Sequence, residues 1–198
     1  MNYTKAKIFN LALKNLRISQ TLQSTEQSDR NTTILNEYYE SARDEVLKDF
    51  DWNFANAYRE LTPTGNVCQN PYFLYEYDYP NDCLFARELI NGTGKEANEF
   101  EVAVTQTIQR VINTNCTPAV LRYTKIVTNE SFFPVEFAMA LSWYLAFLSA
   151  PSVSANRSLQ SDCLNVYSSI LKRAKVLNAQ EGFIRQQEDN PYMNLRQN

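Results

Sequence analysis

The sequence predicts an α+β fold: a helical bundle, with long helices near 28–50, 134–150 and 155–180, carrying an inserted small antiparallel β-region. Three observations predict it. Apolar residues recur at helical spacing before residue 50 and again after residue 132. Between these regions, short runs alternate with period two and are separated by Pro, Gly and Asn. No helix-length segment connects one run to the next, so the strands pair antiparallel. The 198 residues are read as one domain, with N-terminal helices over 1–50, a β-rich insertion over 51–131, C-terminal helices over 132–180 and an extended tail over 181–198.

The first helix starts at Thr4, a residue type suited to N-capping, and carries Ile8, Leu11, Ala12 and Leu16 on one face. A second helix from about Ser28 to Phe50 turns Leu35, Tyr38 or Tyr39, Ala42, Val46 and Phe50 inward. Its charged residues, Arg43, Asp44, Glu45, Lys48 and Asp49, are expected mostly to face water. The strand candidates are "PYFLYEYDYP", "LFARELI", "NEFEVAV", "TIQRVIN" and "AVLRYTKIV", expected to form one sheet of four or five strands. Asn91-Gly92 reads as a hairpin turn between the second and third of these. Pro134 opens the next helix, whose stripe of Phe137, Leu141, Tyr144 or Leu145, and Leu148 is expected to stop before Pro151. In the last helix Leu159, Cys163, Val166, Ile170, Ala174 and Leu177 repeat close to a heptad seam. From Ala155 to Gln180 it would span roughly 39 Å and need partners throughout, which the helices at 28–50 and 134–150 supply.

Composition excludes several chemistries. The chain has no histidine, which removes Ser-His-Asp and Cys-His pairs and histidine-ligated zinc. Its four cysteines, Cys68, Cys83, Cys116 and Cys163, include no CxxC pair and are read as reduced. No metal-ligating or cofactor-binding set is predicted. Nineteen basic residues against 22 acidic ones give a net charge of −3, and no basic stripe suited to gripping phosphates stands out. The densest cluster, Lys172, Arg173 and Lys175, falls near a helix C-terminus, where cations complement the dipole. No segment has the roughly 20 apolar residues of a membrane span. The Asn-x-Ser/Thr triplets at Asn2, Asn31, Asn91, Asn115, Asn129 and Asn156 are read as compositional, because the N-terminal segment is no secretory signal.

Two sites merit weighing. Asp44, Glu45, Asp49 and Asp51 cluster as acids would in a glycosidase, yet their spacing beside Arg43 and Lys48 is that of an exposed helical face. The tyrosines from Tyr72 to Tyr79 invite comparison with a nucleic-acid stacking platform, but Glu76 and Asp78 are the only charges among them. Core or interface packing is the better reading, and no catalytic residue is predicted. The tail keeps Phe183, Ile184, Tyr192, Met193 and Leu195 without periodicity, as a segment that orders on a partner would.

"ARDEVLKDFDWNFANAYREL" followed by "YDYPNDCLFARELI" resembles the tail tubular protein A family, the head-to-tail adaptors of short-tailed bacteriophages. Ala42, Arg43, Trp52, Phe54, Ala55, Tyr79, Pro80, Asp82, Cys83 and Leu84 carry the resemblance. The stretch from Leu121 to Lys175 continues it with a strand, a Phe-Pro helix entry, a small-residue break and a long final helix. The Asn- and Tyr-rich composition would suit an adenine- and thymine-rich genome of the crAss-like kind. The resemblance implies a virion protein, folded in the bacterial host cytoplasm and assembled as a dodecameric ring at the head-to-tail junction beneath the portal. It also implies contacts with portal and tail nozzle or hub proteins, and a lumen through which genomic DNA passes without sequence-specific binding during ejection. The tail residues named above would bind the portal or a neighbouring subunit, while Arg43, Trp52, Phe54, Tyr79, Pro80 and Asp82 would hold the protomer's shape. An acid-only tail-associated cell-wall hydrolase and a non-viral interaction module are the alternatives.

Overall fold

Two sequence features meet at residue 50, where the helical period ends in Phe50, Trp52 and Phe54, and the structure changes character there. The computed structural model describes residues 2–26, 29–91, 98–154 and 157–181. The fold is α+β, with four helices and two small antiparallel sheets among the described residues. The helices are α1 (Lys5–Asn15), α2 (Arg30–Asp49), α3 (Val135–Val153) and α4 (Arg157–Glu181). The strands are β1 (Asn56–Glu60), β2 (Tyr75–Asp78), β3 (Cys83–Leu89), β4 (Phe100–Val104), β5 (Arg110–Thr114) and β6 (Val120–Lys125).

Local chemistry sets the helix starts. Thr4 Oγ1 accepts from the Lys7 N–H, as its residue type predicts. The cap of α2 is Asp29, whose carboxylate accepts from the N–H groups of Asn31 and Thr32. These bonds to the ionised form, led by the Thr32 hydroxyl, hold Asp29 below the usual carboxylate range against the opposing effect of burial. The α2 face contains Leu35, Tyr39, Ala42, Val46 and Leu47, so Tyr39 is the inward tyrosine of the Tyr38–Tyr39 pair.

Helix α3 departs from the expected single stripe. Phe137, Ala138, Ala140, Leu141, Ser142, Leu145, Ala146, Ser149 and Ala150 are all buried, because α1, α2 and α4 all pack against it. Its small residues allow that close approach. Pro151 does not end the helix, which continues to Val153. Proline lacks the N–H that would reach the Phe147 carbonyl, and the Gln160 side-chain amide donates to that carbonyl instead, at 3.4 Å. Among the described side chains of α4 the buried ones are Leu159, Cys163, Tyr167 and Ala174, with Val166, Ile170 and Leu177 only partly covered. Tyr167 is the member the heptad pattern passes over; its ring lies 4.9 Å from Tyr144 and its hydroxyl donates to Asp49 at 2.6 Å.

The β-region is two sheets rather than one, ordered β1-β6-β3 and β2-β5-β4. Strand β1 is short and largely exposed, and alternation does not announce it. Gly92 of the hairpin expected at Asn91-Gly92 lies outside the described residues, and the flanking strands pair elsewhere, β3 with β6 and β4 with β5. Asn91 instead bridges to the turn before β6, where its Oδ1 accepts from the Val120 N–H and its Nδ2 donates to the Pro118 carbonyl. Strand β2 covers only four residues of the tyrosine run; Tyr77 is buried, whereas Tyr72 and Leu74 lie outside the strand and are exposed. Six short strands cannot bury both faces against helices, so the two sheets enclose their own core. It comprises Leu61, Tyr77, Cys83, Leu89, Ile112, Cys116, Ala119, Leu121 and Tyr123.

At the β4–β5 turn, the Ile108 N–H bonds the Thr105 carbonyl and the Thr105 N–H bonds the Gln109 carbonyl, each at 2.9 Å. Ile108 has φ of 61° and is 86% exposed. A β-branched residue is strained in this left-handed region, and no burial compensates. Replacing Ile108 with Asn is expected to stabilise the protein by about 1 kcal/mol, read as a higher urea midpoint at unchanged slope.

Candidate functional site

Helix α2 ends by presenting backbone carbonyls with no further turn to receive them. The indole Nε1 of Trp52 donates to the Val46 carbonyl at 2.8 Å. One guanidinium nitrogen of Arg87 reaches the carbonyls of Leu47, Lys48 and Phe50 at 3.2, 3.0 and 3.0 Å. Arg87 Nε donates to Thr124 Oγ1 at 2.8 Å, so one side chain from β3 joins the helix end to β6. A cation here also opposes the negative end of the helix dipole. Burial lowers its pKa from the ordinary value, and the nearby Asp51 carboxylate offsets only part of that effect.

Arg87 reaches this position because β3 is irregular. Its register against β6 shifts between Cys83 and Phe85 and again between Ala86 and Glu88, making Arg87 the extra residue of a bulge. Bulges redirect side chains that strict alternation would place elsewhere. Arg122 of β6 completes the junction by pairing with Asp51 at 2.6 Å and with Glu88 at 2.7 Å. Neither Arg87 nor Arg122 stands out in the sequence; the available signal is an arginine within each apolar strand.

Trp52 and Phe54 face the helical core. Trp52 meets Phe50 and Phe137 edge-on at 4.8 and 5.2 Å, while Phe54 lies 5.0 Å from Phe137 and 6.0 Å from Phe133. Arg43 does not face water as expected. It is buried at the edge of the α2 core face, where its guanidinium bonds Asp44 Oδ1 at 2.8 Å.

Tyr79, Pro80 and Asp82 are brought together where the chain passes from the second sheet to the first. The Pro80 carbonyl accepts from the Cys83 N–H at 2.9 Å, closing the turn. Asp82 accepts from the Tyr123 hydroxyl at 3.1 Å and faces Arg59 at 3.5 Å. The Arg110 guanidinium stacks 3.9 Å above the Tyr79 ring. Tyr79, Pro80, Cys83, Arg59 and Arg110 border a cleft of about 490 Å³, with Leu61, Thr62, Asn81 and Gln109. Burial raises the Cys83 thiol above its ordinary value, leaving it poorly suited to act as a nucleophile.

The four clustered acids are divided among separate contacts: Asp44 with Arg43, Glu45 with Lys48, Asp49 with Tyr167, and Asp51 with Arg122 and Arg87. Among the described residues no three His, Cys, Asp or Glu side chains converge as a metal site, and no helix is long and apolar enough to cross a membrane. The four thiols are free. Phe183, Ile184, Tyr192, Met193 and Leu195 lie outside the described residues. No protein-family model matches the sequence, and no curated protein matches it.

Replacing Arg87 with Leu is expected to cost about 2–4 kcal/mol in urea denaturation, since several buried acceptors lose their donor at once. Lys at this position should recover only part of that loss, because an ammonium lacks the guanidinium fork. A second expectation concerns pH. Burial, reinforced by the hydrogen bond to Asp82, pushes Tyr123 up to about 12 from its ordinary 10.0. The folded state therefore retains a proton that the unfolded state loses. The resulting stability is fully present below pH 10 and is lost as pH rises toward 12. Tyr123→Phe should flatten the fall of melting temperature across that window.

Proposed function

We propose that this protein is a structural virion component, a head-to-tail adaptor of the tail tubular protein A type. It assembles as a ring beneath the portal, extends the DNA channel and offers a surface on which the tail is built. The observation that carries this reading is the exposure of large apolar residues in two different parts of the fold. Tyr72, Leu74, Val104 and Ile108 project around the second sheet, while Phe132, Val135 and Met139 project at the entry to α3. Closed rings form through heterologous contacts, in which one surface of a protomer meets a different surface of its neighbour. Exposed apolar groups on two such surfaces suit that geometry.

Three further features support it. The acids that would serve a hydrolase are engaged in structural contacts. The helical core is tied to the first sheet by Arg87 at the α2 carbonyls and by Arg122 at Asp51, as a protomer under load during packaging and ejection requires. A net charge of −3 suits a lumen along which DNA slides without being held.

Mass spectrometry and cryo-microscopy of purified virions test the proposal. The protein is expected in the particle at ring stoichiometry, at the vertex through which the genome leaves, and absence from that vertex would end the adaptor reading. Deleting residues 183–198 is expected to leave a folded protein, by circular dichroism and melting, that no longer joins portal-containing particles. Normal incorporation of the truncated chain would remove the tail from the mechanism.

A further inference from the structure

On the outer face of the β2-β5-β4 sheet, three side chains stand in one cross-strand row. Glu76 lies opposite Asn113, and Asn113 lies opposite Glu101. Directly opposed residues on antiparallel strands share a face, with Cβ atoms about 5 Å apart. Residues 64–72 pass over this row. Gly65, with φ of 76°, bends the chain so that Thr64 Oγ1 and Asn66 Nδ2 both donate to Glu76 Oε1, at 2.9 and 3.3 Å. Asn70 Nδ2 donates to Glu101 Oε2 at 2.7 Å. Beyond it, Asn115 secures the segment by accepting from the Leu74 N–H and donating to the Tyr72 carbonyl.

The row lacks positive charge. Glu76 is 5% exposed, yet no lysine or arginine pairs with Glu76 or Glu101 among the described residues. Between them Asn113 is 2% exposed, and its side-chain oxygen is buried without a hydrogen-bond partner. A buried carboxylate needs a counter-charge, and a buried amide oxygen needs a donor. A single hard cation meets both needs. Each glutamate also retains one carboxylate oxygen to which no hydrogen bond is made among the described residues.

We infer that this row is a calcium site, with Glu76 Oε2, Glu101 Oε1 and Asn113 Oδ1 as protein ligands and water completing the shell. Calcium accepts mixed carboxylate, amide and water oxygens in flexible geometry, whereas magnesium demands a near-ideal octahedron. Two carboxylates and one amide give an affinity on the order of 10⁻⁴–10⁻³ M, that of weak calcium modules. The bound ion pins residues 64–72 across the sheet, and with them the exposed Tyr72 at their end. The inference is independent of the assembly role proposed above.

Thermal melts of the full chain in EDTA, calcium chloride or magnesium chloride test it. At about ten-fold excess over the Kd, calcium is expected to raise the melting temperature by about 3–6 °C, with magnesium giving less. Glu101→Gln changes an exposed carboxylate, so the chain should fold and lose the calcium shift. Asn113→Asp presents oxygen in either orientation and adds a charge; it should tighten calcium binding at least several-fold by titration calorimetry. Identical melting in calcium and EDTA, an equal shift with magnesium, or a full calcium shift in Glu101→Gln would each overturn the site.

Discussion

The end of α2 is the point on which the rest of the structure depends. A helix stopped inside a protein leaves carbonyl groups that must find donors, and here the donors come from elsewhere in the chain. Trp52 folds back from the following turn, and Arg87 arrives from a strand nearly forty positions later in sequence. Because Arg87 also bonds Thr124, a single guanidinium connects the helical core with the first sheet. Few residue types can do this; the fork geometry of arginine matches several acceptors at once, and its charge complements the helix dipole.

That connection gives meaning to the two-core architecture. Three helices pack around α3, and two three-stranded sheets pack around Tyr77, Ile112, Leu121 and Tyr123. Their alignment rests on Arg87 at the α2 carbonyls and on the ion pair of Asp51 with Arg122. For the proposed adaptor role this matters mechanically. A ring subunit that carries contacts on both its helices and its sheets must hold the two at a fixed angle.

The Tyr79–Cys83 corner plays a similar part inside the β-region. There the chain leaves one sheet and enters the other, and Tyr79, Pro80 and Asp82 each hold a different neighbour. Residues whose spacing resembles a family pattern thus serve as fasteners at places where the chain changes layer, and only indirectly as contact surface.

The fold class and the helices were legible in the sequence alone. Those depend on period, capping and side-chain size, which are local properties: Thr4 caps α1, and Leu35, Ala42 and Val46 mark the inner face of α2. Tertiary structure decided the rest. The split into two sheets, the buried state of Arg43, the passage of α3 through Pro151 and the reach of Arg87 all depend on partners distant in sequence. A bulge at Arg87 breaks the alternation by which a strand is read, and the Gln160 amide supplies what Pro151 withholds. Neither compensation leaves a mark near the residue it serves. Periodicity reports which residues leave water, whereas the choice of buried polar partners is made only when separate elements meet.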